Sequence, residues 1–214
     1  MTFSNTIDFA KQLDEQDSLK DFRDKFYIPI VNGKECIYLT GNSLGLQPKK
    51  TQDYVLDELE DWATHGVEGH FHARTPWVSY HEIFEEQLAQ IVGALPEEVV
   101  AMNQLTVNLH LLMISFYRPT SKRFKIICEA KAFPSDQYAI QSQVKLHGFN
   151  PEDAIIEVQP KEGTSYIELS DILDTIKKHG EETALVLFGG VNYYSGQVFD
   201  MQTICKAAHE AGAY

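Results

Sequence analysis

The chain is poor in cysteine and in basic residues, and these shortages exclude several classes of protein. Its 214 residues contain three cysteines, Cys36, Cys128 and Cys205, which are widely spaced and never arranged as C-x-x-C. This spacing argues against a disulfide framework and against a zinc cluster. Lys and Arg total 18 against 31 Asp and Glu, so the formal net charge is −13. Because nucleic acids and anionic membranes are bound mainly through clustered basic residues, we expect neither as a partner.

Targeting signals and long apolar runs are also missing from the sequence. Residues 1–19 carry acidic side chains and lack an apolar core, which is unlike a secretory signal. The most apolar run, 109–117, is too short to span a bilayer. We therefore expect a cytoplasmic protein. Its length and its hydrophobic fraction of 43% suffice for a globular core.

Strand and helix patterns alternate along most of the chain. Short apolar runs predict strands at 36–39, 98–102, 125–128, 154–158 and 184–188, with 213–214 as the start of another. Helical spacing predicts helices at 8–24, from Pro48 to Gly66, after Trp77, and at 103–117, 134–148, 170–179 and 201–211. Near-continuous apolar strands separated by helices predict an α/β fold, with a mainly parallel sheet covered by helices on both faces.

Two details of these helices are specific enough to be checked. Val55, Leu59 and Trp62 recur at helical spacing, which predicts a buried stripe on the helix that follows Pro48. Ser170 stands at the start of a later helix, where its hydroxyl is expected to cap the first turn.

Ligands of α/β sheets bind where strands end and helices begin, and three such junctions carry suitable residues. The first junction is 103–108. Its free N–H groups at a helix start and the Thr106 hydroxyl are suited to a phosphate. A structural alternative is that Asn103 caps the helix. The third junction, 188–196, is a Gly-rich turn, which either lets the backbone approach a ligand or only turns the chain.

The second junction joins a strand to a helix that begins with Pro134. Phe133 offers an aromatic face for a flat ring, Ser135 a hydroxyl, and Asp136 a carboxylate for a ring nitrogen. The structural alternative is an ordinary helix start, with an apolar residue before it and an acid in its first turn.

The N-terminal part contains a tight polar loop, 41–45, and a group of histidines. His65, His70, His72 and His81 lie near one another in the sequence, but they do not form an H-E-x-x-H motif and have no nearby cysteine. Because ligand spacing decides such assignments, we expect no metal site.

Together these segments resemble kynureninase, a family of fold-type-I enzymes that use pyridoxal 5'-phosphate. The resemblance extends in order along nearly the whole chain, at 38–48, 69–70, 76–77, 102–113, 129–139 and 191–197. It implies the aspartate aminotransferase-like large domain over residues 76–214, incomplete at its C-terminus. An N-terminal arm and small-domain segment would precede it over residues 1–75.

The resemblance also implies an activity. Kynureninases hydrolyse L-kynurenine or 3-hydroxykynurenine to anthranilate or 3-hydroxyanthranilate and L-alanine, in tryptophan catabolism and NAD biosynthesis, and they are homodimers. The coenzyme serves as the electron sink of the reaction. Two other interpretations stay open: another fold-type-I enzyme, such as a cysteine desulfurase or an aminotransferase, or a non-catalytic scaffold that retains the fold.

Site residues are implied one by one by the same resemblance. The coenzyme-binding residues would be Leu105, Thr106, Phe133, Pro134, Ser135 and Asp136. Within this set, Leu105 and Thr106 would bind the phosphate, Phe133 would stack on the pyridine ring and Asp136 would lie near its nitrogen. Ser43 and His70 would face the substrate.

Two departures from the family pattern are visible. Gly189 occupies a position where the family usually has a Ser or Thr that contacts the coenzyme. No lysine of the chain matches the family's Schiff-base lysine, which would lie beyond Tyr214 together with the family's Asp on the ring nitrogen, its following His and the Tyr of the phosphate site. We therefore expect this chain to be the N-terminal half of a kynureninase-like protein and to be inactive by itself.

Overall fold

The computed structural model describes residues 3–214, which divide into two compact units, one ending at Ala101 and the other covering Met102–Tyr214. Each unit has its own set of elements and is described separately. The domain boundary that the resemblance implies, between residues 75 and 76, stays a prediction.

The N-terminal unit combines α-helices with one small hairpin. Its elements are α1 (Ile7–Gln16), β1 (Ile30–Val31), β2 (Lys34–Glu35), α2 (Thr51–His65), α3 (Gly69–His72) and α4 (Glu85–Val92). The two strands pair antiparallel. Asn32 and Gly33 connect them with φ angles of 53° and 76°. Positive φ at both central residues is typical of the type I′ turn, which matches the twist of a two-residue hairpin.

The C-terminal unit is an α/β layer structure. Its elements are α5 (Leu105–Phe116), β3 (Lys125–Glu129), α6 (Pro134–Leu146), α7 (Pro151–Ala154), β4 (Ile155–Val158), α8 (Leu169–His179), β5 (Thr183–Leu187) and α9 (Met201–Glu210). The strands form a parallel sheet in the order β4–β3–β5. All three strands therefore end at the same edge.

Two apolar cores cover the two faces of this sheet. Ile126 belongs to a core that contains Met113 of α5 and Ile140 of α6. The next residue, Ile127, belongs to a second core with Ile176 of α8 and Ile204 of α9. Successive strand residues point to opposite faces, so two adjacent isoleucines are both buried only when helices cover both faces. The predicted fold class, a parallel sheet flanked by helices, is confirmed.

The end of the chain continues the sheet. The backbone N–H of Tyr214 donates to the carbonyl oxygen of Ala184 at 3.2 Å, and the N–H of Val186 donates to the carbonyl oxygen of Tyr214 at 2.7 Å. These two bonds are those of a strand that begins parallel to β5. The bonds of Tyr214 agree with the prediction that a strand begins here, although the N–H of Ala213 still bonds to the carbonyl oxygen of Ala208.

Two predicted strands are wrong. At 36–39, the N–H of Cys36 bonds to the carbonyl oxygen of Pro29, and no ladder follows in the described part of the chain. The run 98–102 includes the end of a 3-10 turn, Pro96–Glu98, and then irregular backbone. A short apolar run becomes a strand only where another strand satisfies its backbone groups, which periodicity alone does not reveal.

Three helix details also differ from the prediction. The helix expected over 8–24 is split, because α1 ends at Gln16 and a 3-10 turn, Lys20–Lys25, follows. Ser170 lies inside α8, whose N-cap is Glu168 without a side-chain cap bond. The stripe of α2 (Val55, Leu59 and Trp62) is more than half exposed, because no element of the structure covers it fully.

The structure shows where the three thiols lie and whether any helix could cross a membrane. Cys128 is buried in β3, whereas Cys205 is exposed on α9 and Cys36 is partly exposed. Within residues 3–214, no helix has both the length and the apolar character needed to cross a bilayer.

We predict that Cys128 resists alkylation in the folded chain while Cys205 reacts. Burial, followed by the charges of Glu157 and Glu129, raises the pKa of the Cys128 thiol to about 12. At a pH of about 8 such a thiol is ionised to about one part in ten thousand, and the thiolate is the reactive form. Iodoacetamide labelling followed by mass spectrometry checks this, with the urea-unfolded chain as the control. Equal labelling of both cysteines in the folded chain would contradict the prediction.

Candidate functional site

A cavity of about 480 Å³ lies where α5, α6 and the ends of β3 and β5 meet. Leu105 of α5, Glu129 of β3, Asp136 of α6 and Gly189 after β5 are among the residues that line it. The predicted site residues Leu105 and Asp136, which are 31 positions apart in the chain, thus line one cavity. Polar groups concentrate at the carboxyl edge of the sheet, while much of the remaining wall is apolar. Ligand sites of α/β proteins commonly lie at this edge.

The start of α5 presents unsatisfied N–H groups. Its N-cap, Gln104, makes no side-chain cap bond. The Asn108 side chain instead binds back to Asn103: its Oδ1 accepts from the Asn103 N–H at 3.2 Å and its Nδ2 donates to the Asn103 carbonyl oxygen at 2.8 Å. Asn103 is therefore not the cap of this helix. The first-turn donors, beside the Thr106 hydroxyl, are those that a phosphate dianion needs.

The start of α6 presents an aromatic ring and a carboxylate. Phe133 is the N-cap residue and Pro134 the first helical residue, so the ring precedes a fixed helix start. The Phe133 ring is 47% exposed. It packs edge-on against Tyr193, with ring centroids 5.1 Å apart and an interplanar angle of 85°. The Ser135 hydroxyl donates to Asp136 Oδ1 at 3.2 Å, which orients the carboxylate.

Glu129 is a buried acid that the sequence interpretation did not single out. It ends β3, is 6% exposed, and its Oε2 accepts a hydrogen bond from Asn192 Nδ2 at 2.7 Å. A Cβ built on Gly189 would lie 3.2 Å from Glu129 Oε1, closer than an ordinary contact. The available signal was a carboxylate at the end of an otherwise apolar strand. Its partner, 63 residues later, could not be identified without the fold.

Ser43 and His70 both lie in the N-terminal unit. The loop of Ser43 is closed by bonds from the N–H groups of Ser43 and Leu44 to the carbonyl oxygen of Thr40 at 2.9 and 3.2 Å. His70 is exposed on α3, with its ring 5.4 Å from that of Trp77 at an angle of 83°. No hydrogen bond or ring contact joins Ser43 to His70 in the described part of the chain. Their assignment to substrate stays a prediction.

The histidine-rich segment contains a weak pair. His72 Nε2 lies 3.9 Å from Glu68 Oε2, with both side chains exposed. Among residues 3–214, no three His, Cys, Asp or Glu side chains come close enough together to hold a metal ion.

A charge cluster attaches the segment after α3 to α2. Asp61 is 4% exposed, and its Oδ2 accepts from the backbone N–H of Arg74 at 2.8 Å. The Arg74 guanidinium binds the Glu60 carboxylate and lies 3.3 Å from Asp57 Oδ1. The hydrogen bond to Glu60, with the charges of Asp61, Glu60 and Asp57, raises the pKa of Arg74 against the opposing effect of desolvation. This cluster attaches Arg74, which follows the end of α3, to α2.

Comparisons with known proteins agree with this geometry. The family described as Aminotransferase class-V matches residues 37–214. Curated proteins named kynureninase are similar over the whole chain: that of Christiangramia forsetii is 60% identical over 214 residues, and that of Flavobacterium psychrophilum 61% identical over 213. The chain is covered completely in both cases, but only 50% of each relative is covered. The kynureninase of Myxococcus xanthus is 54% identical over 213 residues, covering 99% of this chain and 50% of its own length.

The chain therefore spans about half the length of the curated relatives it matches. Among solved structures, an apo cysteine desulfurase from Thermococcus onnurineus NA1 aligns with a TM-score of 0.62 at 20% identity. The alignment covers 91% of this chain and 45% of the desulfurase, and it supports the fold alone. Kynureninases and the class-V family depend on pyridoxal 5'-phosphate. The cofactor predicted from the family resemblance is therefore confirmed.

The donors at the sheet edge fit this coenzyme. The free first turn of α5 and the Thr106 hydroxyl suit its phosphate, the half-exposed Phe133 ring suits its flat pyridine, and the Asp136 carboxylate suits a protonated ring nitrogen.

We predict that Gly69→Ala destabilises the N-terminal unit by about 1–3 kcal/mol, as overpacking does. A Cβ at position 69 would overlap the Trp77 ring, which is held by a 2.9 Å hydrogen bond from its Nε1 to Glu58 Oε2. Thermal unfolding followed by tryptophan fluorescence measures the loss. Gly45→Ala is the matched control, because a Cβ there meets nothing within 4 Å. Equal melting temperatures for the two variants would contradict the packing argument.

Proposed function

The chain belongs to the aminotransferase class-V family, and on that basis we propose that it is the coenzyme-binding part of a kynureninase. The proposed reaction is hydrolysis of L-kynurenine to anthranilate and L-alanine, with 3-hydroxykynurenine as an alternative substrate. One observation carries the proposal: Leu105 at the start of α5 and Asp136 at the start of α6 line one cavity at the sheet edge, in a chain whose curated relatives are named kynureninase.

Phosphate binding is assigned to the start of α5. The N–H groups of Leu105 and Thr106 point out of the helix start, and the helix dipole adds partial positive charge there. The Asn108 side chain holds Asn103, so that no side chain caps these donors. The Thr106 hydroxyl contributes a further donor.

Ring binding is assigned to the start of α6. When bound, pyridoxal 5'-phosphate would supply an electron sink that takes up charge as the Cα proton of the substrate leaves. Phe133 would cover one face of the ring and would exclude water from that face. Asp136, oriented by the Ser135 hydroxyl, would lie near the ring nitrogen, where its negative charge would influence the ring electronically. Pro134 fixes the backbone between the two.

Substrate recognition is assigned to Ser43 and His70. Both side chains are exposed, so the hydroxyl and the imidazole are free to bind the polar groups of an amino-acid substrate. The Asp61–Arg74 hydrogen bond supports the assignment of His70, because it fixes the segment next to α3.

We further propose a cytoplasmic homodimer that acts in tryptophan catabolism and NAD biosynthesis and binds neither nucleic acid nor membrane. Three free cysteines support a reducing compartment, and the net charge of −13 disfavours polyanions. The exposed apolar stripe of α2 supports a surface that association covers.

We predict that the protein carrying this chain converts L-kynurenine to anthranilate and L-alanine when it holds the coenzyme. Anthranilate fluorescence and amino-acid analysis measure the two products. The same protein without coenzyme is the control. Retention of the coenzyme with no conversion of either L-kynurenine or 3-hydroxykynurenine would contradict the proposed function.

We predict distinct effects for three variants of the site, made in the full-length protein that carries this chain. Phe133→Ala should weaken coenzyme binding roughly tenfold, since an aromatic contact contributes about 0.5–1.5 kcal/mol beyond its burial. Thr106→Ala should weaken binding while kcat at saturating coenzyme is kept. Asp136→Asn should retain the coenzyme but lower kcat and kcat/KM together, as expected for an interaction used in the transition state. Coenzyme titration and steady-state kinetics measure these quantities.

A structural role alone would give another pattern. Asp200→Ala is the control, because Asp200 caps α9 through bonds from the Thr203 N–H and hydroxyl at 3.1 and 2.7 Å. Loss of this cap lowers stability by about 1 kcal/mol. If the three site variants change only the melting temperature, as this control does, the site assignment is wrong.

A further inference from the structure

The turn that follows β5 is organised by one side chain. The turn comprises residues 189–197, and we call it the β5 turn. Asn192 Oδ1 accepts from the Tyr194 N–H at 3.0 Å, the Ser195 N–H at 2.9 Å and the Ser195 hydroxyl at 3.0 Å. The Asn192 N–H donates to the carbonyl oxygen of Gln197 at 2.8 Å. These bonds fix the internal shape of the turn.

The other end of the same amide attaches the turn to the sheet. Asn192 Nδ2 donates to Glu129 Oε2 at 2.7 Å, across 63 residues of sequence. Three donors converge on Oδ1 and one carboxylate on Nδ2, so the network fixes the orientation of the amide. A flipped amide would place its NH₂ group against three donors and its oxygen against a carboxylate. Glu129 and Asn192 thus form a directional pair.

The burial of Glu129 makes this pair strong. A buried carboxylate costs free energy unless hydrogen bonds replace its water, and a hydrogen bond to a charged acceptor is stronger than a neutral one. Gly189 leaves the space that the carboxylate occupies, because a Cβ there would lie 3.2 Å from Glu129 Oε1. The absence of a side chain at Gly189 therefore leaves room for the buried carboxylate of Glu129.

The pair determines where Tyr193 lies. Tyr193 follows Asn192 directly, and its ring packs edge-on against Phe133, with centroids 5.1 Å apart. Phe133 is half exposed at the start of α6. The contact with Tyr193, which belongs to the β5 turn, therefore holds one side of the Phe133 ring. A displacement of Asn192 would move Tyr193 and then Phe133.

We propose that Glu129 and Asn192 are positioning residues that act through Tyr193 to set the orientation of the Phe133 ring against the coenzyme. This inference rests on the proposed function for the assignment of Phe133 to the pyridine ring. It deepens that function, since it adds a buried pair that the family resemblance did not assign.

A swap of the two polar groups tests the pair. Asn192→Asp places two carboxylates together and should weaken binding of pyridoxal 5'-phosphate roughly tenfold, the size of the loss expected when an aromatic contact is removed. In the double variant Glu129→Gln/Asn192→Asp, the new amide donates to the new carboxylate, which keeps an oxygen for the three turn donors. This variant should recover most of the lost affinity. Glu129→Gln alone keeps an acceptor for Asn192 Nδ2 and should lose less than Asn192→Asp.

Two measurements separate positioning from stability. The visible circular dichroism of the bound coenzyme reports the setting of its ring, and should change in Asn192→Asp and return in the double variant. The rate of hydrogen exchange of residues 189–197, measured without coenzyme, should rise in Asn192→Asp and return toward the original rate in the double variant. The stability control is Asp200→Ala, which removes a helix cap outside this network and should leave the dichroism unchanged.

Tyr193 provides a second route if Asn192→Asp does not fold. Tyr193→Ala removes the ring beside Phe133 and should alter the dichroism, whereas Tyr193→Phe keeps the ring and should alter it less. Loss of stability with unchanged dichroism in both Asn192→Asp and Tyr193→Ala, or a double variant no better than Asn192→Asp, would overturn the inference. If the unsubstituted protein that carries this chain binds the coenzyme but does not convert kynurenine, the proposed function is overturned and this inference stands.

Discussion

The central position of β3 is the constraint on which the C-terminal unit depends. This strand bonds in parallel to β4 on one side and to β5 on the other, so three strand ends are held at one edge. Ile126 and Ile127 on β3 are both fully buried, which requires helices on both faces. The segments that follow β3 and β5 therefore begin near each other. Polar groups from distant parts of the sequence consequently line one cavity.

Buried polar groups restrict the relative positions of the helices, strands and turns more than the apolar cores do. Glu129 accepts from Asn192 at the end of the sheet, and Gln143 of α6 lies 2.8 Å from the His110 ring of α5 through its Nε2. An unpaired buried polar group is costly, so the Glu129–Asn192 pair selects one placement of the β5 turn against β3, whereas Gln143 Oε1 is buried without a partner among the described residues. Apolar contacts alone would tolerate small shifts between the same elements.

Much of the C-terminal unit could be predicted from the sequence because its signals are local. The runs 125–128 and 184–188 are apolar enough to be buried strands in any parallel sheet, and the helices after them follow from periodicity and Pro134. The first 101 residues were predicted less well. Apart from α2, their elements are short, and backbone partners at 36–39 and 98–102 depend on contacts that a local pattern does not encode.

By itself, the sequence determined the α/β class and the segments that bear the site, because hydrophobic periodicity and the residues at helix starts act over a few positions. The tertiary structure alone decided which distant groups meet. It brought Leu105 and Asp136 to one cavity and paired Glu129 with Asn192. Hydrogen bonds between residues far apart in the chain depend on strand order and register, and these become fixed only when the whole sheet forms.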